Sequence, residues 1–228
     1  MTASSKGLGR ASAVALAKEG CKVVICARGE DALRDAEKEV AGQTEVLALV
    51  EDVTERDAPK RLVQAAVERF GGLDILVPNA GGPPPASALE VTDEQVLAAV
   101  NANLLTSIRL VREAVPHMRA KHWGRICCIT SYSVKQPIPT LALSNTARTG
   151  LWAWAKTAAI DLFPDGITLN LACPGSHATE RMNQLGGAGP MGDPADFGRV
   201  VAFLCSEPAN YVTGAALQVD GGATTGLL

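Results

Sequence analysis

Short runs of aliphatic and β-branched residues alternate along this chain with longer segments whose apolar residues recur at helical spacing. Six runs predict strands, at Lys22–Ala27, Val46–Val50, Ile75–Pro78, Arg125–Ile129, Thr168–Ala172 and Leu217–Val219. The helical segments lie at Arg10–Lys18, Asp31–Val40, Ala58–Phe70, Asp93–Met118, Ser144–Leu162 and Ala195–Leu204. This alternation predicts an α/β fold, in which a doubly wound parallel sheet carries helices on both faces.

The length of the chain fits one domain of this type. Folds of the α/β class reach roughly 200–250 residues as a single domain, and this chain has 228 residues without an internal repeat or a linker-like segment. We therefore predict one domain over residues 1–228. The segments Gly82–Pro85 and Leu185–Pro194 are interpreted as loops at its edge, and the run Gly186–Gly189 predicts local flexibility.

Charge and cysteine usage exclude several classes of protein. Lys and Arg total 21 against 24 Asp and Glu, with no basic stripe, so nucleic acid is not an expected partner. No apolar run approaches the roughly 18 residues of a membrane span, and no signal-peptide pattern is present, which predicts a cytoplasmic protein without membrane contact. The six cysteines form no CxxC pair or Cys/His cluster, so no metal site is predicted and they are interpreted as small buried hydrophobes.

A glycine-rich turn stands at the beginning of the sequence. Gly7 and Gly9 lead directly into the first predicted helix, so their backbone N–H groups can face an anion at the helix N-terminus. By itself, such a glycine pair is about as often an ordinary tight turn. In a dinucleotide-binding fold this turn follows a central strand, which this sequence lacks. Two explanations stay open: the strand was lost, or the sequence begins inside a longer chain.

Further short motifs follow the predicted strands in a fixed order. They are Asn79-Ala80-Gly81, Asn103 in the long helix, Ser131, Pro174-Gly175, Tyr211–Gly214 and Val219–Gly222. Together with the turn, this ordered set closely resembles the short-chain dehydrogenase/reductase family from Thr2 to Gly222. The resemblance implies a Rossmann-type sheet that binds NAD(H) or NADP(H), a small-molecule carbonyl or alcohol substrate, and a homodimer or homotetramer.

The resemblance also assigns residues to the cofactor, with Asp52 and Val53 at the adenine. The full set is Thr2, Ser4, Lys6, Gly7, Leu8, Arg28, Asp52, Val53, Asn79, Ala80, Gly81, Arg148, Pro174, Gly175, His177 and Thr179. An NAD-selective site normally has an acidic residue after the second strand of the fold. The corresponding strand here is Lys22–Ala27, and Arg28 follows it. A guanidinium suits a 2′-phosphate, and Lys6 can approach the same phosphate, so NADP(H) is preferred while NAD(H) stays possible. The alternative interpretation is that Arg28 and Lys6 are solvated surface cations.

Ala3 stands where the family usually carries the first glycine of the turn. If that position needs a positive φ angle, the Cβ of alanine costs on the order of 1 kcal/mol. This cost predicts that cofactor binding is weakened rather than abolished.

The resemblance implies a catalytic serine, a tyrosine that supplies the proton, a lysine four residues later, and an asparagine that holds a relay water. Ser131 and Asn103 match the serine and the asparagine, but Ser144 and Arg148 stand at the tyrosine and lysine positions. A spacing of four places both side chains on one helix face. Arg148 can still bind the ribose but cannot pass on a proton, and Ser144 is a poor acid. Loss of a positioned acid lowers a rate by about 10²–10⁴-fold.

Tyr132 and His177 are candidate substitutes for the missing acid. Tyr132 follows Ser131 in a segment predicted to be a loop without helical geometry, and its alternative role is to cover the pocket. His177 lies three residues after Pro174, where a histidine is placed for proton transfer, and its alternative role is that of a solvated loop residue.

Three functions are therefore compatible with the sequence. The favoured one is an oxidoreductase that transfers hydride between NADP(H) and a ketone or secondary alcohol, as in 3-oxoacyl reduction, with Ser131 polarising the carbonyl. The replacements at Ser144 and Arg148 favour a non-catalytic NADP(H)-binding protein that acts through a partner or an oligomer. A lyase or isomerase that uses His177 or Tyr132 as a base has the least support.

Overall fold

The structure is a computed structural model that describes residues 1–186 and 189–227. Its strands are β1 (Val23–Ala27), β2 (Val46–Val50), β3 (Ile75–Leu76), β4 (Gly124–Ile129), β5 (Ile167–Pro174) and β6 (Ala216–Val219). Its helices are α1 (Gly7–Lys18), α2 (Glu30–Ala41), α3 (Ala58–Phe70), α4 (Asp93–Val100), α5 (Thr106–Arg119), α6 (Ala142–Leu162), α7 (Glu180–Gln184) and α8 (Pro194–Leu204). This alternation confirms the predicted α/β class with parallel strands and covering helices.

The strands pair in parallel in two groups. β1 pairs with β2, while β3, β4, β5 and β6 follow one another in the second group. Residues 1–4 lie between the groups: the Met1 nitrogen donates to the Val24 carbonyl (2.9 Å) and the Thr2 amide to the Val77 carbonyl (3.3 Å). These residues therefore lie between β1 and β3, where the predicted fold has the end of its central strand.

Several element bounds differ from the sequence prediction. β3 ends at Leu76 rather than Pro78, β5 continues to Pro174, and α7 forms where no helix was predicted. The single helix predicted over Asp93–Met118 contains a π-helical stretch, Asn101–Leu105, between α4 and α5. A π-turn keeps the chain helical, so the sequence pattern does not separate this stretch from the helices on either side.

Both faces of the sheet carry an apolar core. Cys127 and Ile129 of β4 pack into a core with Phe197 of α8, while the alternate residues Ile126 and Cys128 pack into a core built largely on α5 and α6. Side chains that alternate in this way mark a strand buried on both faces, as the sequence predicts for a doubly wound sheet. Five of the six cysteines are buried and Cys21 is half-buried, which agrees with their interpretation as small hydrophobes.

No helix within residues 1–186 and 189–227 is long and apolar enough to cross a membrane. The same residues include no group of three His, Cys, Asp or Glu side chains that could hold a metal ion.

Candidate active site

The glycine-rich turn before α1 depends on two residues with left-handed backbone. Gly7 has a φ angle of +54° and Ala3 one of +45°, so Ala3 does adopt the conformation whose cost the sequence predicts. A Cβ on Gly9 would stand 2.3 Å from the Ala3 carbonyl oxygen, so only glycine lets α1 approach the turn this closely. An open backbone beside a helix N-terminus suits phosphate, and the turn therefore fits the pyrophosphate of a dinucleotide.

Thr2 and Ser4 are buried in this turn and bond to the protein backbone. The Thr2 hydroxyl donates to the Asn79 carbonyl (2.7 Å) and accepts from the Asn79 amide (2.8 Å). The Ser4 hydroxyl accepts from the Cys26 amide (3.1 Å), and the Asn79 side chain donates to the Ala3 carbonyl (3.1 Å). These bonds fix the turn between the ends of β1 and β3. Contact of Thr2, Ser4 or Asn79 with the cofactor itself stays a prediction.

A cavity of about 530 Å³ opens beside the turn. Its lining brings together seven of the predicted site residues, Lys6, Arg28, Asp52, Val53, Ala80, Gly81 and Asn103. It also includes Leu143 and Gln95, which the sequence analysis did not single out. The glycine turn and the segments that follow β1, β2 and β3 thus converge on one space, as expected for the carboxyl edge of a parallel sheet.

Arg28 stands at the rim of this cavity. Its side chain is 79% exposed, and its guanidinium lies 3.9 Å from the Asp52 carboxylate. Hydrogen bonds from the Thr54 amide and hydroxyl, together with the Arg28 charge, hold the pKa of Asp52 below its usual value. Lys6 pairs with Glu180 across the turn at 2.8 Å. Both cations are exposed, and only Arg28 lies next to a predicted adenosine contact.

Asn103 lies in the π-helical stretch and is 3% exposed. Neither its Oδ1 nor its Nδ2 has a hydrogen-bond partner among the described residues. A buried unpaired amide costs about 1–3 kcal/mol, so this side chain fits a bound water or ligand better than a purely structural role. The Thr106 hydroxyl reaches the Val53 carbonyl (3.2 Å) and ties the π-helical stretch to the predicted adenine end of the cavity.

Ser131 follows β4 and is half-buried. Its hydroxyl oxygen accepts from the Ser133 amide (3.1 Å), which caps a short 3₁₀ turn over Tyr132–Val134. The prediction of a loop without helical geometry is therefore wrong at Tyr132, because the Ser131 cap stabilises one turn. Since the Ser131 oxygen accepts in this bond, its own hydrogen can still donate to a substrate.

Ser144 and Arg148 meet on one face of α6, as their spacing predicts. The Arg148 Nε donates to the Ser144 hydroxyl (3.2 Å), and both side chains are buried. Its Nη1 donates to the main-chain carbonyls of Ile129 (3.2 Å) and Thr130 (3.0 Å), and its Nη2 donates to that of Ala80 (3.5 Å). Burial lowers the pKa of Arg148 to about 10, so the guanidinium stays charged at neutral pH. The pair therefore places a fixed positive charge beneath the loop that follows β3.

His177 is 5% exposed, so the alternative of a solvated loop residue is wrong. Its ring stacks edge-on against Phe197 with centroids 5.3 Å apart, and its Nδ1 lies 3.2 Å from the Gly175 carbonyl oxygen. The short bridge between His177 and Gly192 closes the segment after β5 and encloses the ring. The sequence gives no signal of this burial, because it depends on a contact with α8.

The remaining predicted cofactor residues lie in α1 and in the segment from the end of β5 to the start of α7. A Cβ on Gly175 would stand 2.7 Å from Asp220, which brings the motif after β5 against the motif after β6. Thr179 packs its methyl group 3.5 Å from the Cβ position of Gly7, and both border a second cavity, of about 1040 Å³, along α1 and α8. Leu8 packs into the core beneath α8, and Pro174 is the last residue of β5.

Arg181, which the sequence analysis did not single out, contacts the loop beside the cavity. It lies in α7, and its Nη2 donates to the Pro83 carbonyl (2.6 Å) in the loop that lines the cavity. No local pattern could reveal this contact, because the two residues are 98 positions apart. The run Gly186–Gly189, for which we predict flexibility, includes Gly187 and Ala188, which lie outside the described residues.

Comparison with known proteins agrees with this geometry. A family model described as enoyl-(acyl carrier protein) reductase matches residues 2–224. The L-rhamnose 1-dehydrogenase (NAD(P)(+)) of Azotobacter vinelandii is 35% identical over 97% of this chain and 94% of its own. The 3-oxoacyl-[acyl-carrier-protein] reductase MabA of Mycobacterium avium is 33% identical over 99% and 89%. The structure of L-sorbose reductase from Gluconobacter frateurii with NADPH and L-sorbose matches with a TM-score of 0.92 at 30% identity, covering 100% and 96%.

These matches show that the chain belongs to the short-chain dehydrogenase/reductase family. Within that family it falls among the NAD(P)-dependent oxidoreductases, the class of enzymes that transfer hydride between the nicotinamide and a ketone or secondary alcohol.

Proposed function

We propose that the protein prefers NADP(H) and interconverts a ketone and a secondary alcohol in the manner of a 3-oxoacyl reductase. The observation that carries the preference is Arg28, which follows β1 at the cavity rim, where an acidic residue would select NAD(H). A guanidinium offers charge-assisted hydrogen bonds to a 2′-phosphate. The structure of the similar L-sorbose reductase is of its complex with NADPH. The similar rhamnose dehydrogenase is named for both cofactors, so we retain NAD(H) as a second cofactor.

The chemistry assigned to the chain's own residues starts at Ser131. The bound nicotinamide supplies or accepts the hydride. The Ser131 hydroxyl donates to the carbonyl oxygen, and the buried Arg148 charge stabilises negative charge that develops on that oxygen. The Ser144 oxygen accepts a hydrogen bond from Arg148, so the Ser144 hydroxyl hydrogen is free to donate to the same carbonyl oxygen of the substrate.

Proton supply is the weak point of this arrangement. A serine hydroxyl is far less acidic than a phenol, whose pKa is about 10. The proton must therefore come from solvent through a water that the unpaired Asn103 amide would hold, or from Tyr132. The chain has only two tyrosines, and the other, Tyr211, is 90% exposed after the last 3₁₀ turn. We expect turnover to be slower than with a positioned phenol, by about 10²–10⁴-fold.

The second candidate is a protein that binds NADP(H) without turnover and acts through a partner or an oligomer. The observation that favours it is the pairing of Ser144 with Arg148, because neither group releases a proton readily near neutral pH.

One experiment separates the two candidates. NADPH oxidation is measured against short ketones and 3-oxoacyl thioesters for the natural chain, for Ser131→Ala, and for the double variant Ser144→Tyr with Arg148→Lys. We expect activity in the natural chain. In Ser131→Ala this activity should be at least tenfold lower, since a hydrogen-bond donor to the oxyanion is typically worth about 10²–10³ in rate. Activity that is unchanged in Ser131→Ala contradicts the role of Ser131. Activity found only in the double variant supports binding without turnover.

Three further proposals concern the whole protein. We propose that residues 1–228 act as one dinucleotide-binding domain and assemble as a homodimer or homotetramer. Exposed apolar side chains on α4, on the π-helical stretch and on α6 support the assembly, since exposed apolar surface favours protein contact; they are Leu97, Leu105 and Ile160. The free thiols of the described cysteines support a reducing compartment such as the cytoplasm.

A further inference from the structure

The buried guanidinium of Arg148 has no counter-charge in the part of the chain that the structure describes. Its hydrogen bonds go to the Ser144 hydroxyl and to main-chain carbonyls, and no carboxylate pairs with it. Buried charges in proteins are normally paired, because an isolated charge loses its hydration without compensation. The site therefore carries a positive charge that an anion from outside the chain would neutralise.

A second guanidinium, that of Arg181, lies nearby. It is half-buried against Gly82, with Nη2 3.2 Å from the Cβ position of that glycine, and within residues 1–186 and 189–227 it has no carboxylate partner. After burial, the Arg181 charge is the next cause that lowers the pKa of Arg148. The loop from Ala80 to Pro83 thus has a guanidinium at each end. Arg148 donates to the Ala80 carbonyl and Arg181 donates to the Pro83 carbonyl.

This arrangement is costly for a purely structural purpose. Like charges repel each other more strongly when they are withdrawn from water. A neutral amide side chain could make the single bond that Arg181 gives to Pro83, which uses one of the five N–H groups of the guanidinium. The N–H groups of Arg181 that the Pro83 bond leaves unused can bind a carboxylate in a fork, and the nearby Arg148 charge adds to the attraction of an anion.

We propose that the substrate carries a carboxylate close to its ketone or alcohol, and that Arg181 is the residue that selects it. This inference rests on the proposed function, because it names the substrate class of the same site. The pyrophosphate of the cofactor is a second possible source of an anion, and the experiment separates the two.

The test compares 3-oxohexanoate with its methyl ester at saturating NADPH. We expect kcat/KM to favour the acid in the natural chain, and Arg181→Gln to reduce the acid-to-ester ratio by about tenfold to a hundredfold, the range of a lost charged hydrogen bond. The ester should change by less than about twofold, and Arg181→Lys should restore part of the ratio. Arg112→Gln on the exposed face of α5 is the matched control and should leave the ratio unchanged.

Two outcomes overturn the inference while the proposed function stands. One is an acid-to-ester ratio near one in the natural chain, or an equal loss for both substrates in Arg181→Gln. The other is an unchanged ratio together with a tenfold weaker NADPH dissociation constant in Arg181→Gln, which would assign Arg181 to the cofactor pyrophosphate.

A binding measurement keeps the inference testable if no ketone is reduced, a result that would refute the proposed function. The melting temperature of the NADPH complex is measured with hexanoate and with hexanamide. A larger shift with hexanoate that is lost in Arg181→Gln supports the carboxylate site. Equal shifts, or no shift with either probe, overturn it.

Discussion

Ala3 carries a backbone cost in the folded protein. Its φ angle of +45° lies in the left-handed region, which costs a residue with a Cβ roughly 1–2 kcal/mol. The sequence suggested that this cost weakens cofactor binding. Because the bonds of Thr2, Ser4 and Asn79 within the protein hold the turn in this conformation, we expect the cost to fall on folding and the affinity of the turn for phosphate to be left largely intact.

Ala3→Gly should therefore raise the free energy of unfolding by about 0.5–1 kcal/mol, after the extra chain entropy of glycine is subtracted. The NADPH dissociation constant should change by less than about twofold. Urea denaturation and fluorescence titration measure the two quantities. His122→Gly is the matched control, because His122 has a φ angle of +49° and borders neither described cavity. A tenfold gain in NADPH affinity without a gain in stability would contradict this account.

Single residues were predictable where their geometry is local. The contact between Ser144 and Arg148 follows from a spacing of four on a helix, and the structure has it at 3.2 Å. The burial of His177 and the reach of Arg181 to Pro83 were not predictable, because each depends on a contact between distant segments. A sequence pattern specifies the face of an element, whereas such contacts are set by how the elements pack.

At the scale of elements, the approach of α8 to α1 depends on Gly198. A Cβ at this position would stand 2.5 Å from the Ala11 carbonyl oxygen of α1, so the two helices touch backbone to backbone. The same α1 begins at Gly7 in the phosphate-binding turn. Helix existence was predictable from periodicity, but this close approach was not, because a glycine within a helix carries no pattern of its own.

Gly198→Ala should lower the free energy of unfolding by about 1–3 kcal/mol, as overpacking of a close contact does. The gain in helix propensity from alanine, about 1 kcal/mol, offsets only part of this loss. Thermal and urea denaturation measure the change. Gly42→Ala at the end of α2 is the control, since its φ angle is −67° and its nearest neighbour is 3.4 Å away, and it should be neutral or slightly stabilising. A neutral Gly198→Ala would show that α8 moves aside freely.

At the scale of the whole molecule, residues 1–4 hold together two groups of strands. Doubly wound parallel order was predictable from the alternation of runs. The way in which the turn joins the groups was not, because it relies on hydroxyl groups whose partners lie far away in sequence. Ser4 bonds to Cys26 at the β1 side, and Thr2 bonds to Asn79 at the β3 side.

Ser4→Ala and Thr2→Val should each lower the free energy of unfolding by about 1–3 kcal/mol, because each leaves a buried backbone group without its partner. Thr157→Val on exposed α6 surface is the control and should stay within about 0.5 kcal/mol. Hydrogen exchange adds a local measurement: the Cys26 amide should exchange faster in Ser4→Ala and the Asn79 amide in Thr2→Val. If both variants kept full stability and protection, the two groups of strands would be held by their helices alone, and the turn would be only a ligand-binding element.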